Sequence, residues 1–419
     1  MRVSGKLRVP GDKSISHRSL MLAALARGTS RIEGILPSAD VHSTAGMFRA
    51  LGVPIPDVTP QGMTVTGVGI DGLRAPNADL DGGNSGTTTR LMSGILAASP
   101  FASRVVGDAS LSKRPMHRVA KPLTAMGARF EFEQGDGLPM TVHGGALRGL
   151  TWHSETASAQ IKSAILLAGL VAGVPVEVHE PAATRDHTER MLRGRGIDVR
   201  SEGNVATLLP GAELRALDTR VPADPSSATF FAALAALATS GELEIEHVLT
   251  NPTRTGAFLV LERMGARLGW EEMRDDGGES VATLVVAPRR LVGTDIEPHE
   301  VPSLIDELPM LACVGSRAAG ETRVSGAAEL RVKESDRIAT TVHNLRAVGA
   351  DAEELPDGFV VRGHDRPLAG RVVTHGDHRI AMAFGILGSL PGNDIEIDDP
   401  DCVAVSYPTF WTDLDRARA

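Results

Sequence analysis

One phrase recurs six times along the chain: a polar loop carrying Ser, Asn or Asp, followed by a helical stretch rich in Ala and Leu. It stands at Ser14–Ala26, Asn84–Ala98, Ser158–Ala172, Ser226–Ala238, Leu304–Gly315 and Asp377–Leu387. The interval is roughly 70 residues, and six such units fill the 419-residue chain. A repeat of this kind limits the fold more than any composition does, because each copy must bury its apolar side against the others. Between these helices runs a second phrase, at Leu51-Gly52-Val53, Met126-Gly127-Ala128, Arg195-Gly196-Ile197, Met264-Gly265-Ala266 and Val348-Gly349-Ala350. Each closes a helical pattern with Gly at the C-cap and enters a strand-like stretch, as in Ala128-Arg-Phe-Glu-Phe132. The predicted class is α/β, made of six small α+β modules.

Two copies share a further detail. Val9-Pro-Gly-Asp-Lys-Ser14 is similar to Val221-Pro-Ala-Asp-Pro-Ser226, half the chain away. This predicts two domains of three units each, with the chain crossing between them at these places. Residues 1–12 with 222–419 would form a discontinuous C-terminal lobe, and residues 13–221 the N-terminal lobe. Loops at corresponding ends of both would then face a cleft, the expected binding site. Chance likeness among Ala-rich helices is the alternative, but six matching intervals are harder to produce by accident than two.

Composition narrows the ligand. A net charge of -9, with one Tyr, three Trp and ten Phe, argues against general nucleic-acid affinity and base stacking. No apolar run is long enough to span a bilayer, and Met1 leads into no signal-peptide core, so no membrane association is expected. Cys313 and Cys402 are the two cysteines, which predicts no disulfide framework and a reducing, cytoplasmic setting. The thirteen His show no metal-ligand spacing, so no metal is expected. An anionic ligand must therefore be held by local cations within an acidic whole.

Such cations stand at the loop-to-helix junctions. Lys13 and Ser14 sit at a helix entry, where free N–H groups and the helix dipole favour an anion, and Arg18 follows one turn later on the same face. An ordinary solvated helix start fits the same residues. In Asp81–Arg90, Gly86 lets a ligand approach the main chain, or is simply a turn after an Asn84 or Ser85 cap. Arg114 is the candidate from the basic Ser110–Arg118 loop. Ser158 and Gln160 offer short polar groups at a helix N-terminus, with Ser158 as a plain N-cap the alternative. Arg185 opposes the dipole at another helix start unless an anion joins it. In the C-terminal half, Asp306 and Glu307 lie in apolar context, where a carboxylate is costly unless paired or functional. Lys333 and Arg337 are four apart on a predicted helix, with Glu334 beside them, and Arg379 follows the cap residue Asp377. Two unliganded cations ~4 Å apart repel by about 4 kcal/mol at an effective dielectric near 20. The expectation is thus a cleft held open by its cations and closed by two anionic small molecules, each charge-assisted hydrogen bond contributing roughly 1.5–3 kcal/mol.

Taken in order, Lys13-Ser14 with Arg18, Asn84-Ser-Gly-Thr87, Lys113-Arg-Pro115, Ser158-Ala-Gln160, Arg331–Arg337 and Asp377-His-Arg379 resemble the enolpyruvylshikimate-phosphate synthase family over essentially the whole chain. The resemblance implies two domains of inverse α/β-barrel type, a monomer, and transfer of the enolpyruvyl group of phosphoenolpyruvate to shikimate 3-phosphate. It implies no metal and no organic cofactor. Carried over by position, Lys13, Ser14, Arg18, Ser158, Ala159 (by its backbone), Gln160, Arg185, Asp306 and Lys333 would bind shikimate 3-phosphate. Lys13, Gly86, Arg114, Gln160, Arg337 and Arg379 would bind phosphoenolpyruvate. Asp306 would accept the proton of the 5-hydroxyl and Glu334 supply one to the methylene carbon, with Lys13 as the third catalytic residue.

Three positions depart from the common pattern. Ala159 replaces a second serine, Thr184-Arg-Asp-His187 replaces a tyrosine-bearing segment, and Val405 stands where other members carry a phosphoenolpyruvate-binding lysine. Gly86 keeps the small residue associated with glyphosate access. The related transferase of cell-wall synthesis would be expected to carry a reactive Cys in the Lys113–Arg118 loop, where none occurs. A catalytically silent anion-binding protein on the same scaffold would have no need to retain both Asp306 and Glu334.

Overall fold

The Ala/Leu-rich stretches become helices buried on nearly every side, since small side chains let neighbouring backbones approach while larger ones fill the gaps. A computed structural model describes residues 1–276 and 278–418. The chain divides into two units, residues 11–221 and residues 1–10 with 222 onward. Gly11 and Asp12 thus belong with the residues that follow them, not with the C-terminal half as the sequence suggested. The backbone explains the shift: a Cβ on Gly11 would lie 2.0 Å from the carbonyl oxygen of Gly34, so Gly11 is packed directly on the residue that follows the strand Arg27–Glu33.

The first unit holds helices α1 (Lys13–Leu25), α2 (Ala39–Ala50), α3 (Gly86–Ala97), α4 (His117–Met126), α5 (Ala159–Ala172) and α6 (His187–Gly194). Each repeat pairs an inner helix (α1, α3, α5) with an outer, amphipathic one, and each has its own sheet. Leu80–Asp81 runs parallel to Ala102–Val106 across α3, and Leu150–His153 parallel to Val176–His179 across α5. The third sheet closes the unit on itself, because Thr219–Arg220 at its end runs parallel to Arg27–Glu33 near its start.

The second unit repeats the scheme with α7 (Pro225–Leu237), α8 (Gly256–Arg263), α9 (Leu308–Gly315), α10 (Arg337–Ala347), α11 (His378–Gly388) and α12 (Phe410–Ala417). Here the closing strand is Arg2–Leu7, parallel to Ser240–Leu249 from Arg2↔Ser240 to Leu7↔Ile245. That pairing is why the N-terminus belongs to this unit. The sixth repeat departs from the others: its sheet holds only Ala369–Val372 and Asp394–Ile397 among the described residues, and a 3₁₀ turn (Pro400–Val405) with α12 follows where the second to fifth repeats carry a hairpin. The five glycines of the second phrase all have positive φ, from 87° at Gly52 to 121° at Gly127, a conformation that side chains resist.

One helix starts later than its composition suggests. Residues 301–307 form two 3₁₀ turns, and α9 begins only at Leu308. Pro309 has no N–H to donate and is tolerated only in a first turn, so the helix cannot extend back to Leu304. No helix is long and apolar enough to cross a membrane, and no group of His, Cys, Asp or Glu is arranged to hold a metal ion, among the described residues.

Candidate active site

In the first unit the predicted residues cluster at the N-termini of α1, α3 and α5 and just before α6. Asp12, not a serine, caps α1 by accepting from Ile15 N at 2.7 Å, which fixes Lys13 as the first helical residue. Lys13 Nζ lies 3.2 Å from Asp40 on α2. Arg18 is 4% exposed and spreads its guanidinium over three elements. Nη1 donates to Ser14 O at 2.9 Å, Nη2 to Ser163 Oγ on α5 at 2.8 Å and Nε to Thr188 Oγ1 on α6 at 2.7 Å. The i,i+4 relation read from the sequence is therefore real, and Arg18 also ties α1 to the helix that follows Arg185.

Ser85 caps α3, accepting from Thr88 N at 3.1 Å, and leaves Gly86 at its first position. Two guanidinium groups converge there. A Cβ on Gly86 would meet Arg90 Nη1 at 3.0 Å and Arg114 Nη1 at 3.5 Å. Arg114 is aimed by Asn84, donating to its Oδ1 at 2.7 Å and its carbonyl at 3.3 Å. Arg90 donates to Gln160 Oε1 at 2.7 Å, and Gln160 Nε2 in turn donates to Thr87 Oγ1 at 3.1 Å. Ser158 caps α5, and Ala159 and Gln160 are its first residues. Sequence reasoning missed Arg90, although its place one turn after Gly86, ahead of the apolar Leu91, Met92 and Ile95, marks it as facing the same way.

Arg185 precedes Asp186, the N-cap residue of α6, and is half-buried. Two residues flanking it in sequence, Glu180 and Glu189, belong to a buried ionic cluster that the sequence did not reveal: Lys162 Nζ is 2.7 Å from Glu180 and 2.9 Å from Glu189. Burial would lower the Lys162 ammonium, but the two carboxylates outweigh it and hold its pKa above the ordinary lysine range. Burial pushes the Glu189 carboxyl up, against the pull of Lys162. His17, on α1, shares a bond of 2.7 Å with Thr44 Oγ1 on α2, and burial drives its pKa down to about 3, so the ring is neutral.

In the second unit Asp306, Lys333, Glu334, Arg337 and Arg379 come together. Lys333 is not on a helix: it follows a 3₁₀ turn (Ala328–Val332), and α10 begins only at Arg337, after Asp336 caps it by accepting from Ala339 N at 3.0 Å. The predicted i,i+4 face between Lys333 and Arg337 is therefore absent, and it is Asp306 that unites them. Lys333 Nζ is 3.6 Å and Arg337 Nη1 3.2 Å from Asp306 Oδ1. Arg337 is 1% exposed and meets two further carboxylates. Its Nη2 lies 2.6 Å from Glu334 Oε2, and it grips Asp377 with Nε at 2.8 Å and Nη2 at 3.2 Å. Burial would lower the guanidinium pKa, but these charges raise it; burial would raise the Asp377 carboxyl, but Arg337 holds it below the usual range. Arg379 donates to Asp306 O at 3.2 Å and lies 3.5 Å from Glu307, which accepts a short hydrogen bond from Ser226.

The mutual repulsion expected of the cations does not describe these clusters. Lys13, Lys333, Arg337 and Arg379 each have a carboxylate at hand, from Asp40, Asp306, Glu307, Glu334 or Asp377. Arranged this way, the second unit can move protons between paired carboxylates and present guanidinium groups to an anion. The first can hold an anion or hydroxyls on helix N-termini. Val405, at the place of the expected lysine, ends the 3₁₀ turn Pro400–Val405.

Relatives with this architecture are known. A profile of EPSP synthase (3-phosphoshikimate 1-carboxyvinyltransferase) matches residues 1–414. The 3-phosphoshikimate 1-carboxyvinyltransferase of Sulfurihydrogenibium sp. (strain YO3AOP1) is 48% identical over 421 residues, covering 99% of this chain and 97% of its own. That of Alkalilimnicola ehrlichii is 51% identical over 407 residues, covering 97% and 91%. Among solved structures, EPSP synthase from Acinetobacter baumannii superposes with a TM-score of 0.89 at 44% identity, over 99% of this chain and 96% of its own. The enolpyruvyl transferase NikO from Streptomyces tendae shares the fold, with a TM-score of 0.75 at 19% identity over 99% and 95%. With its fold and its matched length both accounted for in this way, the chain belongs to the EPSP synthase (3-phosphoshikimate 1-carboxyvinyltransferase) family.

Proposed function

We propose that the two clusters serve one reaction. The family transfers the enolpyruvyl group of phosphoenolpyruvate to the 5-hydroxyl of shikimate 3-phosphate, releasing phosphate, on the route to chorismate and the aromatic amino acids. In this reading Ser14 and Arg18 hold the shikimate carboxylate, while Ser158, the Ala159 backbone, Gln160, Arg185 and Lys333 surround its ring and phosphate. Lys13, the Gly86 backbone, Arg114, Gln160, Arg337 and Arg379 take phosphoenolpyruvate.

Attack of the 5-hydroxyl oxygen on C2 of phosphoenolpyruvate forms a C–O bond. Asp306 accepts the hydroxyl proton, and Glu334 delivers a proton to C3, which becomes a methyl group. Loss of phosphate from C2, taking the proton held by Asp306, and return of one methyl proton to the Glu334 carboxylate then restore the double bond and both carboxyl groups. The addition needs one carboxylate and one carboxylic acid side by side. The observation that supports it is the placement of Asp306 and Glu334 on one buried guanidinium, 3.2 and 2.6 Å from Arg337. Arg337 thus holds both carboxyl groups of the proposed addition beside one anion-binding cation.

The purified chain, given both substrates, is expected to release one phosphate per enolpyruvyl product and none with either substrate alone. No release with both would overturn the reading. Glu334→Gln should lower turnover by about 10²–10⁴-fold, the usual loss of a positioned general acid. The same reading makes the chain a cytoplasmic monomer; light scattering that returned the mass of two chains would refute the second part.

A further inference from the structure

The residues assigned above to shikimate 3-phosphate on α5 and before α6 are joined by charged groups for which the reaction has no use. Lys162, two residues after Gln160, turns inward from α5 and meets Glu180 at 2.7 Å and Glu189 at 2.9 Å, with all three side chains 5% exposed or less. Stability does not explain the arrangement: apolar residues of similar volume generally serve a buried site as well as an ion triad does, or better. What the triad supplies is fixed geometry across three elements.

Its two carboxylates sit on either side of Arg185. Glu180 follows the strand Val176–His179 and accepts from Thr184 Oγ1 through both oxygens, at 2.8 and 2.9 Å, so the turn leading to Arg185 is closed on it. Glu189 lies on α6 next to Thr188, whose hydroxyl accepts from Arg18 Nε and shares a 2.7 Å bond with Ser163, the neighbour of Lys162. Both ends of the 180–189 segment are therefore pinned to one ammonium group on α5.

We propose that Lys162 is a positioning residue for shikimate 3-phosphate, its ion pairs with Glu180 and Glu189 setting the distance of Arg185 from Ser158, which has no part in holding phosphoenolpyruvate. The inference rests on the assignment of this substrate to those residues. Phosphoenolpyruvate, held through Lys13, Gly86 and Arg114 at other helix starts, is affected little. Lys162 shapes one substrate's subsite without touching the reacting atoms.

Lys162→Met alone strands two carboxylates in the interior and is expected to melt lower. The combined variant Lys162→Met, Glu180→Gln, Glu189→Gln removes all three charges at nearly constant volume, and is expected to melt close to the parent. In it the KM for shikimate 3-phosphate should rise about fivefold or more, with the KM for phosphoenolpyruvate within about twofold. Glu189→Gln keeps a one-to-one pair between Lys162 and Glu180, folds even if the combined variant does not, and should raise the same KM about two- to threefold. An unchanged KM for shikimate 3-phosphate in either folded variant overturns the proposal, as does an equal rise in both KM values. If the parent turns over and the variants keep its KM, this inference alone fails; if the parent itself does not turn over, the substrate assignment fails and takes the inference with it.

Discussion

Gly86 shows how little space separates the anion-binding groups. Added carbon there would press on the end of Arg90, at 3.0 Å, which must yield by a few tenths of an ångström, and would sit in ordinary contact with Arg114, at 3.5 Å. Gly86→Ala is therefore expected to fold normally and to raise the KM for phosphoenolpyruvate by about tenfold, leaving that for shikimate 3-phosphate nearly unchanged. Steady-state kinetics with each substrate varied in turn checks this, and an unaltered phosphoenolpyruvate KM would contradict it. His17 makes a prediction about pH. Its folded pKa, driven to about 3 by burial, lies below the ordinary value of 6.5. Between these values the unfolded chain binds a proton that the folded chain refuses, so stability is complete above the upper value and declines as pH falls towards the lower one. The slope from this one ring approaches ~1.4 kcal/mol per pH unit. Urea unfolding at pH 7.5 and 5.5 should show a flatter dependence in His17→Gln than in the parent; equal slopes would mean that the imidazole accepts a proton in place.

Most inner helices were legible because they announce themselves twice, by a polar cap and by an apolar run; α9, whose start has no side-chain cap, is the one whose beginning was misplaced. Ser85, Ser158 and Asp377 cap α3, α5 and α11 where the residue pattern allowed. What the pattern could not reveal were the breaks made by tertiary contacts. Lys333 was read into a helix because Leu330–Arg337 has helical spacing, yet Asp336 caps α10 behind it and Lys333 turns to Asp306. Lys162 escaped notice for a related reason, since a lone charge in an apolar helix carries no local sign of what it meets, whereas Arg90 did carry one in its place a turn after Gly86. Asp377 serves two elements at once, accepting from Arg379 N at 3.0 Å at the start of α11 and holding Arg337 of α10. Asn in its place can still cap but leaves a buried guanidinium short of a carboxylate. Asp377→Asn is expected to cost about 3–5 kcal/mol, read by chemical denaturation. A loss below about 1 kcal/mol would show that Asp306 and Glu334 suffice to hold Arg337.

Six repeats, read from spacing alone, correspond to six inner helices and six sheets among the described residues. Each unit's ring is closed by a strand distant in sequence, Thr219–Arg220 in one and Arg2–Leu7 in the other, a pairing no local pattern could disclose. Charge balance was equally hidden. The cations were visible as a series of basic helix starts, but the carboxylates that neutralise them, Asp40 for Lys13 and Asp377 for Arg337, look like ordinary first-turn residues in sequence. The central claim is the proposed division of labour, in which proton transfer would rest with Asp306 in one unit while Arg18 and its neighbours in the other would hold shikimate 3-phosphate. Calorimetric titration of shikimate 3-phosphate into Asp306→Ala, beside its phosphate-release rate, tests this most directly. Turnover should fall by about 10²-fold or more while the dissociation constant stays within about fivefold of the parent's; near-parent turnover in a folded Asp306→Ala protein would contradict the account.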